Sequence, residues 1–171
     1  EIGRSRVTEA GGAPFGTAVP DPPPLAFLGV RACEIEALRI QDTVLTGGPY
    51  VDADYAARRA SALVIAVNCT TAASTCICTS MGSGPEVTGG HDLALTELEH
   101  GFLVEAGSPA GEALLARLPV RAMTIDEAVA AAQALAATRA RIGDQGAPPG
   151  LPDRLLADLD HPRWGDVAER C

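Results

Sequence analysis

Ala62-Leu63-Val64-Ile65-Ala66-Val67 is the run on which the fold turns. It is apolar at every position and rich in β-branched side chains. A strand with one wet face alternates apolar and polar residues, whereas a strand covered on both faces reads as a continuous apolar run. The sequence therefore predicts a central strand of a parallel sheet here, and an α/β protein around it.

Upstream, Leu25-Ala26-Phe27-Leu28-Gly29-Val30 is a second short apolar run of strand length. From Cys33 the apolar positions Ile35, Leu38, Ile40 and Leu45 fall at helical spacing, and Gly47-Gly48-Pro49 stops them. Asp52 is placed to cap a short helix running through Ala60. A strand, helical segments and a second strand are the makings of a parallel pair joined by a crossover. Residues 1–24 are rich in Gly and Pro and end in Pro22-Pro23-Pro24, which reads as a linker or extended loop.

Downstream, residues 92–98 and 101–106 read as two short strands, Pro109 to Leu118 as a short helix and Val120 to Met123 as a last strand. Thr124 with Glu127 three residues on is a capping box for a long helix from Ile125, with Ala128, Ala131, Leu135, Ala136 and Ile142 on its apolar face. Gly143, Gly146 and Pro148-Pro149 end that helix, and 152–159 and 162–170 read as two shorter ones. The expected architecture is α/β: a small, mostly parallel sheet with flanking helices over residues 25–123, followed by a C-terminal helical segment over 124–171. No internal repeat is visible.

The chain has 171 residues, of which 47% are hydrophobic but only 4% aromatic, so the core must be built from Ala, Val, Leu and Ile. All thirteen basic residues are arginine, and the net charge is −9. An acidic surface argues against nucleic acid or an anionic membrane as the main partner. No stretch approaches the length of apolar chain that spans a bilayer. The first residue is Glu1 and the last is Cys171, and both ends read as internal to a longer chain.

The cysteines carry the chemistry. Cys69, Cys76 and Cys78 lie in one long loop, residues 68–90, directly after the central strand, and Cys33 follows the strand Leu25 to Val30. A loop of that length inside a compact domain is usually functional. If the two strands are parallel neighbours, their C-terminal ends face the crevice where open α/β sheets bind ligands, and four thiols converge there. Four thiolates without a nearby histidine suit a [4Fe–4S] cluster or structural zinc. The spacing C-x6-C-x-C has no paired zinc knuckle and is not a ferredoxin run, and free or redox-active thiols fit it as well. A disulfide between Cys76 and Cys78 would be tight, and there is no C-x-x-C for a thiol oxidoreductase.

Around the cysteines, Gly82 and Gly84 in Met81-Gly82-Ser83-Gly84-Pro85 let the backbone approach a ligand and present N–H groups, unless this is an ordinary glycine-rich turn. Arg31 could offset the negative charge of thiolates or simply pair with Glu34. Arg58-Arg59 reads as a solvated helix face, or as a contact for a partner subunit or an anion. Asp92 and Glu97 have no nucleophile to serve, and His91, His100 and His161 are scattered. Trp164 is expected to pack the last helix onto the domain or a partner.

Several segments resemble one family. They are Gly29 to Leu38, Asp54 to Arg59, Asn68 to Pro85, Asp92 to Leu98 and His161 to Trp164. Together they look like the beta-type iron–sulfur subunit of cytosolic sulfhydrogenases, NAD(P)-linked [NiFe] hydrogenases and anaerobic sulfite reductases. The likeness covers roughly residues 25–171. Glu34, Ile77 and Ala72-Ala73 depart from the family pattern of Asp, Phe and Pro-Gly, and no cysteine is lost. The resemblance implies a cytoplasmic electron-transfer subunit, itself non-catalytic, working between a flavin/NAD(P)-binding subunit and a hydrogenase or reductase catalytic subunit. It implies a [4Fe–4S] cluster on Cys33, Cys69, Cys76 and Cys78, and a ferredoxin-like domain whose first ligand would be Cys171. The alternative is a structural docking module, with thiols or a zinc staple and no redox role.

Overall fold

A computed structural model describes residues 23–143 and 150–171. The expected linker 1–24 lies outside them except for its last two residues, as do Gly146 and Pro148-Pro149. The chain folds as β1 (Leu25–Arg31), α1 (Ala32–Thr46), α2 (Ala53–Ala60), β2 (Ala62–Asn68), β3 (Leu93–Leu98), β4 (Gly101–Ala106), α3 (Pro109–Leu115), α4 (Ile125–Ile142), α5 (Leu151–Ala157) and α6 (Arg163–Ala168).

The four strands form one sheet in the order β1-β2-β3-β4. β1, β2 and β3 are parallel and β4 returns antiparallel to β3, so the architecture is the expected small, mostly parallel sheet flanked by helices. Register runs from Leu25↔Ala62 to Arg31↔Val67, with an irregularity between Leu28 and Val30 at Gly29, whose φ of +85° an L side chain rarely adopts. The long apolar run is β2, an inner strand. Its Val64 and Ala66 are buried with Leu93 and Ala94 of β3 and with Ala131 and Ile142 of α4. Ala66 pairs with Ala94, so two small side chains sit side by side on the inner strands, and α4 packs against β3 and β4. The alanine-rich composition thus becomes close packing rather than bulk.

Local chemistry sets the helix ends. Asp52 accepts the Tyr55 backbone N–H at 2.9 Å and caps α2. At α4 the Thr124 hydroxyl accepts the Glu127 N–H while the Glu127 carboxylate accepts the Thr124 N–H, the expected capping box. α1 and α2 are clamped by one carboxylate, since Asp42 of α1 accepts from the Tyr55 hydroxyl at 2.6 Å and from Arg59 Nε at 3.2 Å. The Tyr55/Arg59 pair is thus an interhelical joint, and only Arg58 is left on the solvated face.

One expectation is corrected. Residues 120–123 carry no strand, because this stretch is exposed and Arg121 is drawn instead to the Glu127 carboxylate and the Ala122 carbonyl at the mouth of α4. The Trp164 indole N–H donates to the Asp158 carbonyl at 2.6 Å, tying α6 to the end of α5, and the ring is half exposed. Among the described residues, no helix is long and apolar enough to cross a membrane.

Candidate functional site

β1 and β2 point the same way, and Arg31 and Val67 are register partners near their C-terminal ends. Two residues beyond each stands a cysteine: Cys33 in the first turn of α1 and Cys69 at the start of the loop. The loop then brings Cys76 and Cys78 back to the same place. Cys69 feels the charges of Cys33, Cys78 and Cys76, and Cys78 those of Cys33 and Cys76. Three chain segments thus deliver four thiols to the crevice that an open parallel sheet leaves beyond its strand ends. Cys33 is exposed and the other three are half-buried. Cys171 stands apart, exposed beyond α6.

The loop is held by specific bonds rather than by secondary structure. Asn68, the last residue of β2, is buried. Its amide donates to Thr96 Oγ1 of β3 and its carbonyl oxygen accepts the Val87 N–H, both at 2.8 Å. The Cys69 N–H donates to the Pro85 carbonyl at 3.1 Å across the base of the loop. Thr79 Oγ1 donates to the Gly143 carbonyl at 2.6 Å, and Arg139 stands 3.7 Å from Glu86, so the end of α4 buttresses the far side.

Gly82 and Gly84 both take positive φ, +64° and +153°. At Gly84 a Cβ would lie 3.4 Å from Cys78 Sγ and 3.2 Å from Ala32 Cβ. A side chain there would press on the thiol and on the first residue of α1 at once, so the glycine keeps the wall thin. The Gly84–Pro85 peptide is cis.

Burial pushes the Cys69 thiol up, and the neighbouring Cys33 and Cys78 thiols push it the same way, against the pull of Arg31. Cys78 is also raised, by burial first and then by Cys33 and Cys76, although the backbone N–H groups of Cys78 and Thr79 donate to it. Pushed up in this way, the Cys69 and Cys78 thiols stay protonated at neutral pH. A cation among them would reverse that balance, releasing protons as it binds. The N–H groups aimed at Cys78 sulfur are of the kind that tunes thiolate-bound clusters.

Arg31 pairs with Glu34 through both its backbone N–H (2.8 Å) and its guanidinium (2.6 Å). Its pKa is raised chiefly by Glu34 and further by Cys33 and Cys69, so the guanidinium serves the carboxylate and the thiol site together. The pairing with Glu34 that the sequence offered as one reading of Arg31 is therefore present. Asp92, which the sequence left without a role, is a structural knot. It exchanges bonds with the Val64 backbone (2.7 and 2.8 Å) and accepts the Gly107 N–H at 2.8 Å and the Ser108 hydroxyl at 2.5 Å. Glu97 and His100 are exposed, and His91 packs against Gly107.

Among the described residues, no group of three or more His, Cys, Asp or Glu side chains is drawn together for a single metal ion. The mutual electrostatics of the four thiols nonetheless mark them as neighbours. The two findings are compatible, because a single ion collects its sulfurs at about 2.3 Å whereas a four-iron cluster gives each thiolate its own iron and spreads them wider. The donor set, the half-buried crevice, the thin glycine wall and the N–H groups toward sulfur fit such a cluster. No known family model, curated protein or solved structure matches this chain.

Proposed function

We propose that this chain is a non-catalytic iron–sulfur subunit that passes electrons between a flavin/NAD(P)-linked subunit and a hydrogenase or sulfur/sulfite reductase catalytic subunit, in a cytoplasmic setting. The observation that carries the reading is the delivery of Cys33, Cys69, Cys76 and Cys78 by three segments to one end of a parallel strand pair. A [4Fe–4S] cluster held there would supply reversible one-electron transfer.

Each residue then has a task. The four thiolates would be the ligands. Gly82 and Gly84 let the loop close over them, and the Cys78 and Thr79 N–H groups stabilise charge on sulfur. Arg31, held by Glu34, puts a positive group beside Cys33 and Cys69. Exposed Cys33 marks the side nearest solvent, where an electron partner could come close.

The test is iron, acid-labile sulfide and zinc per chain, with absorbance and EPR spectra, on protein purified and reconstituted without oxygen. About four irons and four sulfides, lost together in Cys76→Ser, are the expected result. One zinc without sulfide would make the site a staple and the chain a docking module. No metal after reconstitution would overturn the cluster.

A further inference from the structure

Behind the glycine wall lies a cleft of about 430 Å³, within the range of small-molecule sites. One wall is the ridge of α1 that carries Ile35, Glu36, Arg39 and Asp42, and the other is the loop from Gly82 to Gly90. Arg59 from α2 and Arg139 from α4 complete it, so three helices each contribute one guanidinium to the same space.

Each guanidinium offers five N–H donors, and none spends them all on its carboxylate. Arg39 gives Nε and Nη2 to Glu36, at 2.9 and 2.5 Å. Arg59 gives Nε alone to Asp42. Arg139 stands 3.7 Å from Glu86, beyond hydrogen-bond reach. Donors are thus left over for an anionic oxygen.

The lining is mixed, and that selects the ligand. Glu36, Asp42 and Glu86 line the same cleft as the arginines and would repel a bare polyanion. Carboxylates are instead good acceptors for sugar hydroxyls, while guanidinium groups suit phosphate. Ile35 and Val87 add apolar surface on facing walls, where a flat ring could rest. We propose that this cleft is a nucleotide site, taking phosphate on Arg39, Arg59 and Arg139 and sugar hydroxyls on the carboxylates between them. Gly84 would separate the ligand from Cys78 by no more than its own backbone.

The experiment titrates the full chain with ADP, with adenosine and with inorganic phosphate, by calorimetry and by amide chemical shifts. ADP is expected to bind saturably and more tightly than either half. Arg39→Gln and Arg139→Gln, at side chains 67% and 60% exposed, should each weaken ADP about tenfold or more with an unchanged melting temperature. Glu36→Gln should weaken ADP while leaving inorganic phosphate binding unchanged or tighter. No saturable ADP binding, ADP binding indifferent to both arginine variants, or phosphate binding as tightly as ADP would each overturn the proposal. The readout is binding and not iron content, so this proposal and the electron-transfer reading stand or fall separately.

Discussion

The two halves of the sheet are built on different terms. On the β3/β4 side, an antiparallel hairpin with α3 is knitted by its own ladder and by Asp92, which ties the start of β3 to Gly107 and Ser108 and also to Val64 of β2. On the β1/β2 side, parallel strands end in a long loop with little ladder of its own, held at a few points by Asn68, Cys69 and Thr79. The first half spends its polar groups on holding itself together. The second leaves thiols, glycines and arginines for something else. Damage to the first should therefore appear as lost stability, and damage to the second as lost binding.

The harshest break is at Gly111, where a Cβ would sit 1.8 Å from the Asp92 carbonyl oxygen. Gly111→Ala should cost about 3 kcal/mol in urea unfolding, because backbone on both sides has to give way. Asn68→Ala lies on the seam between the halves. It leaves the buried Thr96 hydroxyl and the Val87 N–H without their partner. It should cost about 2 kcal/mol and also lower metal loading, because the base of the loop loosens. A stability loss with loading intact in the folded protein would show that the loop does not depend on that seam.

Cys76→Ser should shift the metal-free unfolding midpoint by an amount within about 0.5 kcal/mol, yet abolish metal loading. The smallest effect is at the mouth of α4. The Arg121 guanidinium, then the Thr124 N–H and hydroxyl, hold Glu127 well below its ordinary 4.5, at about 2. Stabilisation from a depressed carboxylate is present above its unfolded pKa and is lost as pH falls toward the folded value. The first turn of α4 should therefore fray between pH 4.5 and about 2, seen in amide shifts of residues 124–128, and that step should vanish in Glu127→Gln.

Much of this was legible in the sequence, for reasons that differ by residue. The unbroken apolar run of β2 announced an inner parallel strand, and Thr124 with Glu127 announced the start of α4, because both signals are local. The convergence of Cys33 with Cys69 followed from the parallel pairing alone. Three things were not legible. Asp92 looked like one more acid beside a strand, since its partners Val64 and Ser108 are brought to it only by tertiary structure. The apolar residues of 120–123 suggested a strand, but nothing in their pattern says whether an edge is free to receive one. The arginine cleft draws its guanidinium groups from three helices, so no sequence window contains it.

The hydrogen bond from Thr79 to Gly143 and the ion pair of Glu86 with Arg139 have a mechanical consequence. They leash the cysteine loop to the last turn of α4, the point from which the chain goes on to α5 and α6. A shift of that turn is felt at the loop as a tug between Cys78 and Pro85. The helix end is thus a handle on the thiol site, and whatever grips α4 holds one end of a short lever on it.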